Sequence, residues 1–146
     1  MPRTALTLPD INVWIALAFE VHAQHAAACR WRAAADDEAL VFCRMTQQGF
    51  LRLITNPAVL GQEALTLAKA WQLYDRLQAL SYVTFLAEPA GIEPVWRQFT
   101  GRRRYSPKVW NDAYLAAFAL RSGCRLVTFD RGFAQYDRAP CTILEP

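Results

Sequence analysis

Three aspartates, Asp10, Asp112 and Asp130, carry the chemistry this sequence could perform. A single carboxylate at a helix start usually caps the helix or answers its dipole. Three brought to one place do something else. They repel, raise one another's pKa values and are tolerated mainly where a cation neutralises them. No Cys or His stands near them in a matching pattern, and an all-oxygen set suits a hard ion, Mg2+ or Mn2+, that binds substrate phosphates. A second chemistry-bearing stretch, Gly101-Arg102-Arg103-Arg104-Tyr105-Ser106-Pro107-Lys108, mixes four cations with an aromatic ring. Arg102, Arg103, Arg104 and Lys108 could hold a nucleic-acid backbone while Tyr105 stacks on an unpaired base. His22 and His25 sit three apart on a helical segment, with no third nitrogen or sulfur ligand to complete a metal site.

Hydrophobic periodicity predicts the elements that must position these groups. Short buried strands are expected over 5–8, 39–43, 82–86, 125–129 and 141–144, and helices over 13–19, 22–35, from 46 to the Asn56-Pro57 stop, 66–80, 92–99 and 109–122. Leu67, Ala70, Trp71, Tyr74 and Leu77 form one stripe, read as core or as a partner surface. Gly123 is the natural terminator of the helix before it. Strands alternating with helices imply βαβ units and a mainly parallel, roughly five-stranded sheet covered on both faces. Ligands of such sheets gather at the carboxyl ends of the strands. Asp10 follows the first strand, Thr46, Gln47 and Gln48 the second, and Asp130 the fourth. The helix holding Asp112 runs back toward the start of the fourth strand, so its first turn lies at that same edge.

At 146 residues the chain is expected to form one domain, 1–146, with no linker dividing it. A hydrophobic share of 53% against 20% charged residues excludes the disordered class. No apolar run is long enough to span a membrane and no cleavable leader is visible, so the cytoplasm is the expected compartment. Cys29, Cys43, Cys124 and Cys141 form no paired motif and read as buried thiols. The net charge of +3 says little by itself about a polyanionic partner.

Four segments together resemble PIN-domain ribonucleases, particularly VapC-type toxins of type II toxin–antitoxin pairs. They are Leu8-Pro9-Asp10-Ile11-Asn12-Val13-Trp14, Phe50-Leu51-Arg52-Leu53-Ile54-Thr55-Asn56-Pro57, Asn111-Asp112-Ala113-Tyr114-Leu115-Ala116 and Val127-Thr128-Phe129-Asp130-Arg131-Gly132-Phe133. The resemblance spans nearly the whole chain. It implies a three-layer α/β/α sandwich, Mg2+- or Mn2+-dependent endonucleolytic cleavage of RNA (tRNA and rRNA being candidates), a homodimer and a cognate antitoxin protein. It also implies that Asp10, Asp112 and Asp130 are the catalytic metal ligands, supported by Asn12, Thr128 and Gln48. One departure stands out: many members carry a glutamate where this chain has Gly49, after Gln47 and Gln48. A Gln amide can hold a water but adds no charge. Two other readings therefore stand beside the nuclease: a catalytically weakened RNA-binding or regulatory domain, and a phosphoaspartyl-type phosphatase. The second usually needs an acid at the place of Asn12.

Overall fold

The computed structural model describes residues 5–101 and 103–146. Five strands, β1 (Leu6–Pro9), β2 (Ala39–Phe42), β3 (Val83–Phe85), β4 (Arg125–Thr128) and β5 (Cys141–Ile143), form one sheet in the order β3-β2-β1-β4-β5. Every neighbouring pair is parallel. The chain first builds outward from β1 through β2 to β3, then returns to the other side of β1 to lay down β4 and β5. The order therefore reverses between β1 and β4, and the crevice at their carboxyl ends is the site this topology offers a ligand.

The helices are α1 (Ile11–Ala18), α2 (His25–Ala34), α3 (Arg44–Ile54), α4 (Pro57–Leu60), α5 (Leu67–Gln78), α6 (Ile92–Thr100) and α7 (Val109–Ser122). Alternation along the strands divides the core in two. Leu8, Val41 and Leu126 pack with α6 and α7 through Phe99, Leu115 and Phe118. Leu40, Phe42 and Val83 pack with α1, α3 and α5 through Trp14, Phe50 and Tyr74. Phe42 is the hub of the second layer, stacked on Trp14 at 3.9 Å between ring centroids and met edge-on by Phe50 and Tyr74.

Several expectations shift. The helix expected from His22 begins at His25, because the His22 Nδ1 accepts from Gln24 N–H and holds the chain in a turn. Asn56-Pro57 ends α3 as expected and also starts α4, since the Asn56 side chain accepts from Ala58 N–H and Pro57 sits at the first helical position. Within the α5 stripe, Ala70 and Tyr74 are buried, while Leu67 and Trp71 face outward. Cys43 and Cys124 are buried as expected; Cys29 is exposed on α2. Among the described residues no helix is long and apolar enough to cross a membrane.

Candidate functional site

Asp10 leaves β1 at the crevice. Pro9 has no N–H to give the ladder, but Asp10 N–H donates to Val127 O at 2.8 Å, so pairing with β4 continues up to the residue that bears the carboxylate. One oxygen of that carboxylate accepts from Ile11 N–H at 2.7 Å, at the start of α1. The other accepts from the Thr128 hydroxyl at 2.9 Å. Thr128, fully buried, in turn accepts from Asp130 N–H at 3.0 Å. One hydroxyl thus ties together the ends of β1 and β4. Asp130 Oδ1 accepts from Gly132 N–H at 2.8 Å, and its Oδ2 lies 3.2 Å from Lys108 Nζ. Capping and site-building share one geometry here: Asp10 and Asp130 each spend one oxygen on a backbone N–H, and the other meets Thr128 in Asp10 and Lys108 in Asp130.

Asp112 arrives from the first turn of α7 and makes the electrostatics plain. Its pKa is pushed up to about 6, first by burial and then by the charges of Asp10 and Asp130, with Lys108 opposing. Burial also raises Asp10, against the hydrogen bonds from Thr128 and Ile11 N–H; the Asp130 charge raises it further. Lys108 is raised in its turn by its bond to Asp130 and by the charges of Asp130, Asp112 and Asp10. Three acids and one lysine therefore share a single field.

The cleft between them encloses about 290 Å3. Asp10, Asp112 and Asp130 all line it, as do Asn12, Gln48 and Lys108. Thr128 stands behind the wall rather than in it. Two polar lining residues carry no role in the sequence reading, Arg52 and Asn111. Arg52 follows Gln48 by four on α3, the spacing that puts two side chains on one helix face. That signal was available.

Gly49 is not where an acid would serve the cleft. A Cβ there would stand 2.1 Å from Ile11 Cδ1, so this position is pressed against α1, and the preceding residue, Gln48, takes the cleft-facing place. The basic segment also divides. Lys108 enters the cleft, while Arg104 and Tyr105 are exposed along a neighbouring groove. Arg103 lines that groove too but is tied down: it donates to Phe99 O at 2.6 Å and to Gln135 Oε1 and O at 2.6 and 2.9 Å, with its guanidinium over the Tyr136 ring. Arg102 lies outside the described residues.

The donor chemistry fits a hard divalent cation. All three acids present oxygen to one cleft, where burial, with their mutual repulsion added to it, raises Asp10 and Asp112. The set is open: among the described residues no three His, Cys, Asp or Glu side chains are gathered tightly enough to hold an ion by themselves. Mg2+ commonly keeps several waters and uses only one or two carboxylates together with substrate phosphates, so an open set suits it.

The PIN domain family matches residues 7–139. The chain is 46% identical over 136 residues to Ribonuclease VapC41 of Mycobacterium tuberculosis, covering 90% of this chain and 93% of that one. Ribonuclease VapC38 of the same organism is 34% identical over 142 residues, with 96% of each chain covered. Among solved structures, VapBC2 from Rickettsia felis, bound to a DNA fragment from its promoter, superposes with a TM-score of 0.69 at 10% identity, covering 96% of this chain and 99% of that one. Mycobacterium tuberculosis VapC20, a sarcin–ricin loop cleaving toxin, gives a TM-score of 0.61 at 18% identity, covering 89% and 93%. Both structures share the fold of the five-stranded parallel sheet. By a match over most of its length and by similarity to these relatives along nearly the whole chain, it belongs to the PIN-domain family, among its VapC ribonucleases.

Proposed function

We propose that this chain is a divalent-metal-dependent endoribonuclease, a single nuclease domain over 1–146, and the cytoplasmic toxin of a toxin–antitoxin pair. One observation carries the reading: Asp10, Asp112 and Asp130 face one cleft at the switch point of the sheet, where their charges oppose one another. The relatives named ribonucleases support it. VapBC2 supports a cognate antitoxin as partner. Association as a homodimer is part of the same proposal.

Asp10, Asp112 and Asp130 would hold Mg2+ or Mn2+. When bound, such an ion supplies positive charge to the phosphodiester and lowers the pKa of a water for hydrolysis. The chain does the positioning. Thr128 fixes the rotamer of Asp10 and the backbone of Asp130 together. Asn12, Gln48 and Asn111 offer neutral donors and acceptors around the acids, and Arg52 and Lys108 supply cations that can meet RNA phosphates. Among the described residues no carboxylate or histidine beyond the three acids lines the cleft. The chemistry therefore rests on orientation and charge compensation.

The test is cleavage of total RNA by purified protein with Mg2+ or Mn2+, against the same reaction in EDTA. Metal-dependent cuts that disappear in Asp10→Asn and Asp112→Asn support the reading. Binding of RNA without any turnover in either metal defeats it and favours the weakened, non-catalytic domain.

A further inference from the structure

Beside the acidic cleft, round the first turn of α7, lies a groove of about 200 Å3 built from the opposite chemistry. Two aromatic rings, Trp110 and Tyr105, and two guanidinium groups, Arg103 and Arg104, line it with Thr100 and Val109; among the described residues no carboxylate does. Trp110 is 59% exposed and Tyr105 82%. Such large apolar surface left in water marks a surface that meets something. Trp110 is nevertheless held in place. The Trp96 ring stands edge-on to it, 6.0 Å between centroids at 81°, and Trp96 Nε1–H donates to Trp110 O at 3.0 Å. Arg103 is fixed as well, by Phe99 O and Gln135. A braced ring beside a braced cation loses little freedom on binding.

We infer that this groove is a stacking subsite for an unpaired base of the RNA, on the flank of the nucleotides being cut. The inference rests on the ribonuclease reading and deepens it. Size and charge choose the occupant. The groove is smaller than ordinary small-molecule pockets and far too short for an amphipathic helix, whereas a planar base fits it. Arg103 and Arg104, with no acid among the described residues of the groove, suit the phosphates on either side of that base. The groove lies round α7 from the cleft, because Trp110 precedes Asn111, which lines the cleft, on one helical turn. Trp110 and Asp112 point about 200° apart on α7, so roughly one helix width, about 10–12 Å, separates them. At about 3.4 Å per stacked nucleotide, the base taken up here lies about three nucleotides or fewer from the scissile bond. The subsite therefore reads a flanking position and selects single-stranded substrate over duplex.

The experiment is fluorescence anisotropy in EDTA, where nothing is cut, with a labelled unstructured oligoribonucleotide and a blunt RNA duplex of the same length. Trp110→Ala is expected to weaken single-strand binding about tenfold, Tyr105→Ala several-fold, and Trp110→Phe much less, with duplex binding unchanged throughout. Repeating the titration with one abasic site moved along the strand should show one position whose loss matters to the parent and not to Trp110→Ala. If Trp110→Ala and Tyr105→Ala bind the single strand as the parent does, the subsite is wrong, and a change in light scattering of those variants would assign the patch to a second copy of this chain. A parent that cleaves RNA while both variants match it overturns only the subsite. A parent that neither binds nor cleaves RNA overturns the ribonuclease reading itself.

Discussion

The Thr128 hydroxyl donates to Asp10 Oδ2 at 2.9 Å and accepts from Asp130 N–H at 3.0 Å, so one buried oxygen holds together two acids from opposite ends of the chain. That oxygen has no room for an alternative partner, since Thr128 is fully buried at the end of β4. The hydroxyl thereby sets the spacing of the two acids from within the protein itself.

Replacing Thr128 by Val preserves shape and removes both bonds. The variant is expected to lose about 1–3 kcal/mol of stability, because Asp130 N–H and Asp10 Oδ2 lose their buried partner. Metal affinity should fall about 10- to 100-fold, as for other groups that orient ligands. Urea denaturation and calorimetric Mn2+ titration check the two effects. Thr128→Ser should recover most of both, and a Thr128→Val protein with parental Mn2+ affinity would show that the hydroxyl does not organise the acids.

Asp112 sets a pH dependence whose sign is fixed. Its folded pKa, about 6, lies above the ordinary carboxyl value of 3.8, so between those values the folded state binds the proton more tightly than the unfolded. Stability of the metal-free protein must then fall as pH rises from about 4 to about 6. Asp112→Asn removes that dependence. In EDTA its melting temperature should exceed the parent's at pH 7 and converge with it near pH 4. Parallel melting curves across that range would refute the crowding of acids. In the same window Mn2+ binding to the parent should weaken as pH drops below about 6, because the proton competes for the carboxylate.

Lys108 occupies the field that a metal would enter, 3.2 Å from Asp130 Oδ2. Lys108→Met is expected to tighten Mn2+ binding by up to about fivefold at low salt, the range of an exposed ion pair, with the gain shrinking as salt is added. RNA binding should weaken at the same time. Calorimetry that finds weaker metal binding in the variant would mean that the lysine supports the cation rather than competing with it.

Gln48 and Gly49 separate two placements of an added acid. Gln48→Glu, facing the cleft, should tighten Mn2+ binding by adding a ligand charge. Gly49→Ala should leave metal binding alone and cost about 1–3 kcal/mol, since its Cβ meets Ile11 Cδ1 at 2.1 Å. Metal affinity that responds to residue 49 and not to residue 48 would reverse the placement drawn from α3.

Local pattern in the sequence was enough for the parallel α/β fold and for the rim on which the acids lie. The helix over Val109–Ser122 and its stop at Gly123, with φ of 74°, follow from apolar periodicity and from glycine's access to the left-handed region. Asp10 and Asp130 were legible because Asp10 directly follows β1 and Asp130 follows β4 after one intervening residue, and strand ends of a parallel sheet define an edge without further information. Short-range chemistry failed where an element is too brief to show a period, as in α4 and in the single turn over Arg131–Gln135. Tertiary packing alone decided the rest. One step of about 100° on α3 separates Gln48 from Gly49, and only the contact with Ile11 shows which of them faces the acids. The arginine segment reads as one basic patch, yet Gln135 and Tyr136, distant in sequence, draw Arg103 away while Asp130 draws Lys108 in. Charge is written into the chain residue by residue; where each charge points depends on partners that only folding brings within reach.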